Sequence, residues 1–138
     1  MFKLKIMKKN NFFVISAIAI LLLYGVFINK SYKNTMNDTY HNAYFKTAVI
    51  NKFIQETRRS YYIYVFKVNG IEYNRKTVSE ENYIKEGDKV LIMFNKEKPS
   101  ESFLLRNTTI PEEYLNKDTI WTSPPDFINP EDLKFLED

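Results

Sequence analysis

The chain has 138 residues, 44% of them hydrophobic, with 20 lysines and arginines against 17 acids, one histidine and no cysteine. Without cysteine there is no disulfide and no thiol-linked lipid, and a single histidine cannot supply the paired ligands of the common zinc motifs. The net charge of +3 hides a gradient: residues 1–30 carry five lysines and no acid, residues 31–98 twelve basic and eight acidic groups, and residues 99–138 three and nine, so the part beyond residue 30 is slightly acidic and general affinity for nucleic acid is not expected.

The first element is an uncharged run from Phe12 to Ile28, directly behind Lys3, Lys5, Lys8 and Lys9. Its 17 residues make about 25 Å of helix, just enough to cross a hydrocarbon core of about 30 Å. A secretory signal has the same start, but no small-x-small pair follows Ile28; Ala17-x-Ala19 lies inside the run, so retention as an anchor is expected. Four lysines precede the span and only Lys30 and Lys33 follow closely, which predicts a cytoplasmic N-terminus and a main domain outside. Membrane lipid is therefore the first expected partner, through residues 12–28.

Residues 29–44 are polar and rich in Asn, Tyr and Lys, and read equally as a helical stalk or a linker. From Phe45 to Ile54 helical and strand spacings compete; the β-branched Thr47, Val49, Ile50 and Ile54 favour a strand. Tyr61 to Val68 is a β-branched and aromatic run that meets Asn69-Gly70, the favoured pair of a two-residue type I′ turn. That turn sets Val68 opposite Ile71, Lys67 opposite Glu72 and Phe66 opposite Tyr73, with apolar pairs on one face and an opposite-charge pair on the other. Lys89 to Phe94 is a second strand, entered through Glu86-Gly87-Asp88; it is apolar on both faces and so belongs in the middle of a sheet. Pro99 stops the loop after it, and Ser102 to Leu105 is a short further strand.

Tyr64-x-Phe66-x-Val68-Asn69-Gly70-x-x-Tyr73, Gly87-Asp88-x-Val90 and Pro99-x-x-Ser102-x-Leu104 together resemble a family of small bacterial membrane-tethered β domains of unknown function. The resemblance covers roughly residues 45–105 and implies a strand over 45–54 and structural roles for Gly70, Gly87 and Pro99. It implies no catalytic residue.

The tail after Leu105 reads as packing or docking sequence. Ile110 to Leu115 suits a helical turn, and Trp121 precedes Pro124-Pro125. Asn129-Pro130-Glu131-Asp132 has an N-cap, a proline at the first helical position and two acids in the first turn, which predicts a short helix to about Leu136 whose Leu133, Phe135 and Leu136 fold back on the domain or bind a partner, folding back being the favoured reading.

Chemistry-bearing residues are sparse. His41, the only histidine, lies near the anchor, Glu80-Glu81 and Glu112-Glu113 read as solvated charges, and Gly25, Gly70 and Gly87 are too scattered to cradle phosphate. No catalytic residue, cofactor, metal or small-molecule substrate is expected. Aromatic residues interleaved with Arg58, Arg59, Arg75 and Lys76 match a pattern of single-strand binders, but a small sheet needs those rings as core.

The sequence thus predicts a mainly β protein: a basic N-terminus (1–11), a transmembrane helix (12–28), a juxtamembrane segment (29–44), an antiparallel five-stranded barrel-like domain (45–105) and an extension with short helices (106–138). The expected role is a noncatalytic protein-binding or accessory domain on the outer side of a bacterial membrane, its partner another envelope protein. A toxin-immunity factor is the alternative, ahead of a nucleic-acid-binding barrel or a hydrolase. Arg58, Arg59, Tyr61 and Trp121 are the candidate partner contacts, since arginine and large aromatics are enriched at binding hot spots; the plainer reading of the two arginines is surface charge beside a strand.

Overall fold

A computed structural model describes residues 2–80 and 83–134, with side chains from Val14 onward. Two compact units are present, residues 1–35 and 36–138. The first is helical from Phe2 onward, part of α1 (Phe2–His41). Its large apolar side chains from Val14 onward lie open to the surroundings, Leu21, Leu22, Leu23 and Phe27 each being about two-thirds exposed or more. One helix is thus long and apolar enough to cross a membrane. Of the two readings of residues 29–44, the stalk is the one realised as far as His41, and the first strand starts at Ala43, two residues earlier than expected.

The second unit is a curled antiparallel sheet of β1 (Ala43–Gln55), β2 (Ser60–Val68), β3 (Ile71–Ser79), β4 (Lys89–Asn95) and β5 (Ser102–Leu105), with a two-residue β6 (Ile120–Trp121). The spatial order is β3-β2-β1-β4-β5, and β6 also pairs with β1. This makes a half-barrel in which the long β1 is shared. Its first half pairs with β4 from Ala43↔Asn95 to Val49↔Lys89, and its second half pairs with β2 from Val49↔Val65 to Gln55↔Ser60. A register shift between Ile50 and Lys52 marks the bulge where the strand changes course. Gly87, at a φ of +89°, donates its N–H to the Ile50 carbonyl at 2.7 Å, so the Gly87-Asp88 entry to β4 docks at this bend.

The hairpin forms in the predicted register, Val68↔Ile71, Lys67↔Glu72 and Phe66↔Tyr73. Asn69 and Gly70 have φ of +52° and +78°, the positive values a type I′ turn demands. β4 is covered on both faces: Val90, Ile92 and Phe94 join Ala48, Ile50, Tyr62, Tyr64 and Phe66 on one, and Leu91 and Met93 join Phe45, Leu105 and Ile110 on the other. The first cluster fills the concave side. There the Tyr64 and Ser102 hydroxyls meet at 2.8 Å, although their strands β2 and β5 are separated by two others in the sheet.

The extension covers the convex cluster. Tyr114, Trp121 and Phe127 pack on one another with ring centroids 5.3–5.5 Å apart and against that cluster, as does Tyr40 from the last turn of α1. The turn expected around Ile110 to Leu115 is a 3-10 turn at Glu112–Tyr114. The helix expected from Asn129 is shorter than predicted: Asn129 caps Glu131 as read from the sequence, but the helical element is the 3-10 turn Pro130–Asp132. Asp132 is turned inward to accept hydrogen bonds from Asn107 and Thr108, which anchors the turn through its side chain. Leu133 is half-buried, and Phe135 and Leu136 lie outside the described residues.

Candidate functional site

Along one edge of β1 the pairing with β2 begins at Val49, while Phe45 and Lys46 pair with Trp121 and Ile120 of β6. Thr47 and Ala48 fall between, without a ladder partner on that edge. The fork opens a cleft of about 600 Å³ walled by β1, β2, β3 and the segment leading to β6. Lys46 has a side chain only 5% exposed and ends in an ion pair with Asp118, itself 86% exposed. Lys67 faces Glu72 at 3.8 Å, and Lys89 and Lys117 also line the cleft, leaving it with more positive than negative groups. Neither Lys46 nor Asp118 stands out in the sequence, because they lie 72 positions apart and their meeting depends on the two-residue strand that follows Asp118.

The far end of β1 carries the predicted contacts. Arg58 and Arg59 occupy the exposed turn between β1 and β2, and Tyr61 adjoins them with the Lys76 ammonium 4.0 Å above its ring. Lys76 also faces Glu56 at 3.5 Å. Trp121 is not part of this group. It pairs with Phe45, ten positions along β1 from Gln55, which is about 33 Å of extended strand, and its ring packs between Tyr114 and Phe127. Arg58, Arg59 and Tyr61 therefore share one surface, and Trp121 sits in the aromatic cluster of the extension.

A third cluster joins the open edges of the half-barrel. Arg106, just past β5, donates to the Val78 carbonyl and, at 3.2 Å, to the Thr77 hydroxyl of β3, and it faces Glu80 at 3.6 Å. β3 and β5 are not ladder partners, so one guanidinium spans the gap that a barrel would close with backbone bonds.

The remaining ionisable residues are dispersed. His41 ends α1 with its ring 5.9 Å from that of Tyr40. Glu112 and Glu113 are exposed on a 3-10 turn, and Glu81 of the other acidic pair lies outside the described residues. Among the described residues no group of three His, Asp or Glu side chains is placed to hold a metal ion.

Residues 49–109 match the family described as a domain of unknown function, DUF3592. The matched segment runs from the bend of β1 through β5 to the Arg106 bridge and the partners of Asp132, under half of the chain. It agrees with the resemblance drawn from Asn69-Gly70, Gly87-Asp88 and Pro99-x-x-Ser102 in placing the chain beside proteins without an assigned activity. No curated protein and no solved structure matches the chain.

Proposed function

We propose that this chain is a noncatalytic binding or accessory domain tethered to a bacterial membrane by its N-terminal helix, with the N-terminus in the cytoplasm and the β domain on the outer side. The observation that carries this reading is the run of exposed apolar side chains from Val14 to Ile28, which water would penalise at roughly 25 cal/mol per Å² and a bilayer would cover. The lysine-rich flank supports the orientation. Support for binding comes from the surface chemistry: an arginine and tyrosine tip at one end of β1 and a lysine-lined cleft at the other. The expected partner is another envelope protein.

Carbonate extraction tests the anchor: the full-length protein should stay in the membrane pellet, and release of a shortened protein would identify a cleaved signal instead. Ser123→Cys, at an exposed position of a chain without cysteine, tests the orientation. An impermeant thiol reagent should label it in intact cells; labelling only after permeabilisation would reverse the topology. Ser102 would be a poor labelling site, being 2% exposed against Tyr64.

A further inference from the structure

β3 is bonded along its whole length to β2, from Val68↔Ile71 to Ser60↔Ser79, and no strand among the described residues lies on its other side. Residues flanking a two-residue turn exchange both backbone hydrogen bonds, and the pattern then alternates. The N–H and C=O of Ile71, Tyr73, Arg75, Thr77 and Ser79 thus face β2, and those of Glu72, Asn74, Lys76 and Val78 face outward. Arg106 takes the Val78 carbonyl. Glu72, Asn74 and Lys76 remain as three consecutive outward pairs, on a strand with neither proline nor bulge to guard it.

We infer that this edge pairs with the same edge of a second copy, antiparallel, about a two-fold axis through Asn74. The register follows from charge. Centred on Asn74, Glu72 of each copy stands opposite Lys76 of the other, Asn74 opposite Asn74, and Tyr73 opposite Arg75, a ring against a guanidinium. All three outward pairs then meet their counterparts, because residues of equal parity face each other. Centring on Tyr73 pairs two tyrosines and sets Lys76 opposite Gly70 of the turn, centring on Arg75 sets two arginines face to face, and centring on Glu72 or Lys76 sets like charges together. In the favoured register Lys67 and Glu72 of one copy continue into Lys76 and Glu56 of the other as a row of alternating sign, extending the ion pairs already present at 3.8 and 3.5 Å. The interface is isologous, closing on itself at two copies. It depends only on the β domain's own edge, and stands or falls separately from the proposed anchoring.

Asn74→Cys in the full-length protein, in detergent, tests the pairing, since the chain has no other thiol. Directly opposed residues of such a pair lie about 5.5 Å apart at Cα, within disulfide range. Mild oxidation should give a covalent dimer, where Ser123→Cys should not. In the N74C background, E72K alone and K76E alone should each lower the yield about tenfold, and a mixture of the two chains should recover it as the heterodimer. Recovery in the mixture also shows that both variants are folded. Cross-linking no greater than in S123C, a yield indifferent to both charge variants, or no recovery on mixing would overturn the inference; an edge that serves a strand of a different protein would give the first of these.

Discussion

The carboxylate of Asp132, 4% exposed, receives two groups of Asn107, the backbone N–H at 3.0 Å and the side-chain amide at 3.0 Å. The Thr108 hydroxyl adds a third donor at 2.6 Å, and Asn129 donates its N–H to that same hydroxyl at 3.0 Å. The last turn of the described chain is thereby fastened to the residues that follow β5. Removing the carboxylate leaves several partly buried donors without an acceptor. Asp132→Ala should therefore cost about 2 to 3 kcal/mol, read as a fall in melting temperature of about 4–8 °C per kcal/mol, with earlier proteolysis near residue 130. An unchanged melting curve would show that the extension docks through its aromatic residues alone.

Arg106 bridges edges that no backbone ladder joins. Arg106→Ala should destabilise the domain by about 1 to 3 kcal/mol and speed amide exchange preferentially at the end of β3 and in the segment after it. Arg106→Lys should not restore protection, because an ammonium lacks the planar fork that reaches Thr77 and Val78 together. Uniformly faster exchange across the sheet would argue against a local bridge.

Phe66 is 3% exposed and touches Tyr64, Tyr73 and Phe94 through ring contacts. Phe66→Ala should cost roughly 3 to 5 kcal/mol, measured by chemical denaturation. A loss below about 1 kcal/mol would be the signature of a surface ring.

Tyr64 and Ser102 share a hydrogen bond across the concave core. Tyr64→Phe and Ser102→Ala should each cost about 1 to 2 kcal/mol, while the double variant should cost clearly less than their sum, since both single changes remove the same hydrogen bond. Strict additivity in the double-mutant cycle would mean that the two hydroxyls do not interact.

Lys46 and Asp118 form a lopsided pair, one side chain buried and the other in solvent. Asp118→Asn should cost under about 1 kcal/mol because water screens the exposed carboxylate. Lys46→Met should be neutral or stabilising, since it removes a buried charge while keeping the apolar stem. A marked loss with Lys46→Met would give this lysine a structural weight that the geometry does not.

Much of the sheet was legible because its signals are local. Asn69-Gly70 dictates positive φ at two adjacent positions, and a turn of that type fixes every pair from Val68↔Ile71 outward. The apolar residues on both faces of Lys89 to Phe94 announced a central strand for the same kind of reason. What escaped depends on residues distant in sequence. Ile120-Trp121 is too short to carry a period and is a strand only because β1 offers it an edge. Asp132 read as a first-turn acid, and its inward role required Asn107 to be waiting 25 positions earlier. Trp121, named beside Arg58, Arg59 and Tyr61 as a candidate contact, lies apart from them among Tyr114 and Phe127, a separation that only the course of β1 reveals. The polar stretch 29–41 had no apolar stripe to declare a helix, yet α1 runs through it.

β1 leaves the ribosome before any strand it will bond with. Its first β4 partner arrives some forty residues later, and Trp121 more than seventy residues after Phe45. The middle of the sheet is thus made first and satisfied last, so a nascent domain halted before residue 121 exposes the edge of Phe45 and Lys46 to whatever chaperone or stray strand is nearby.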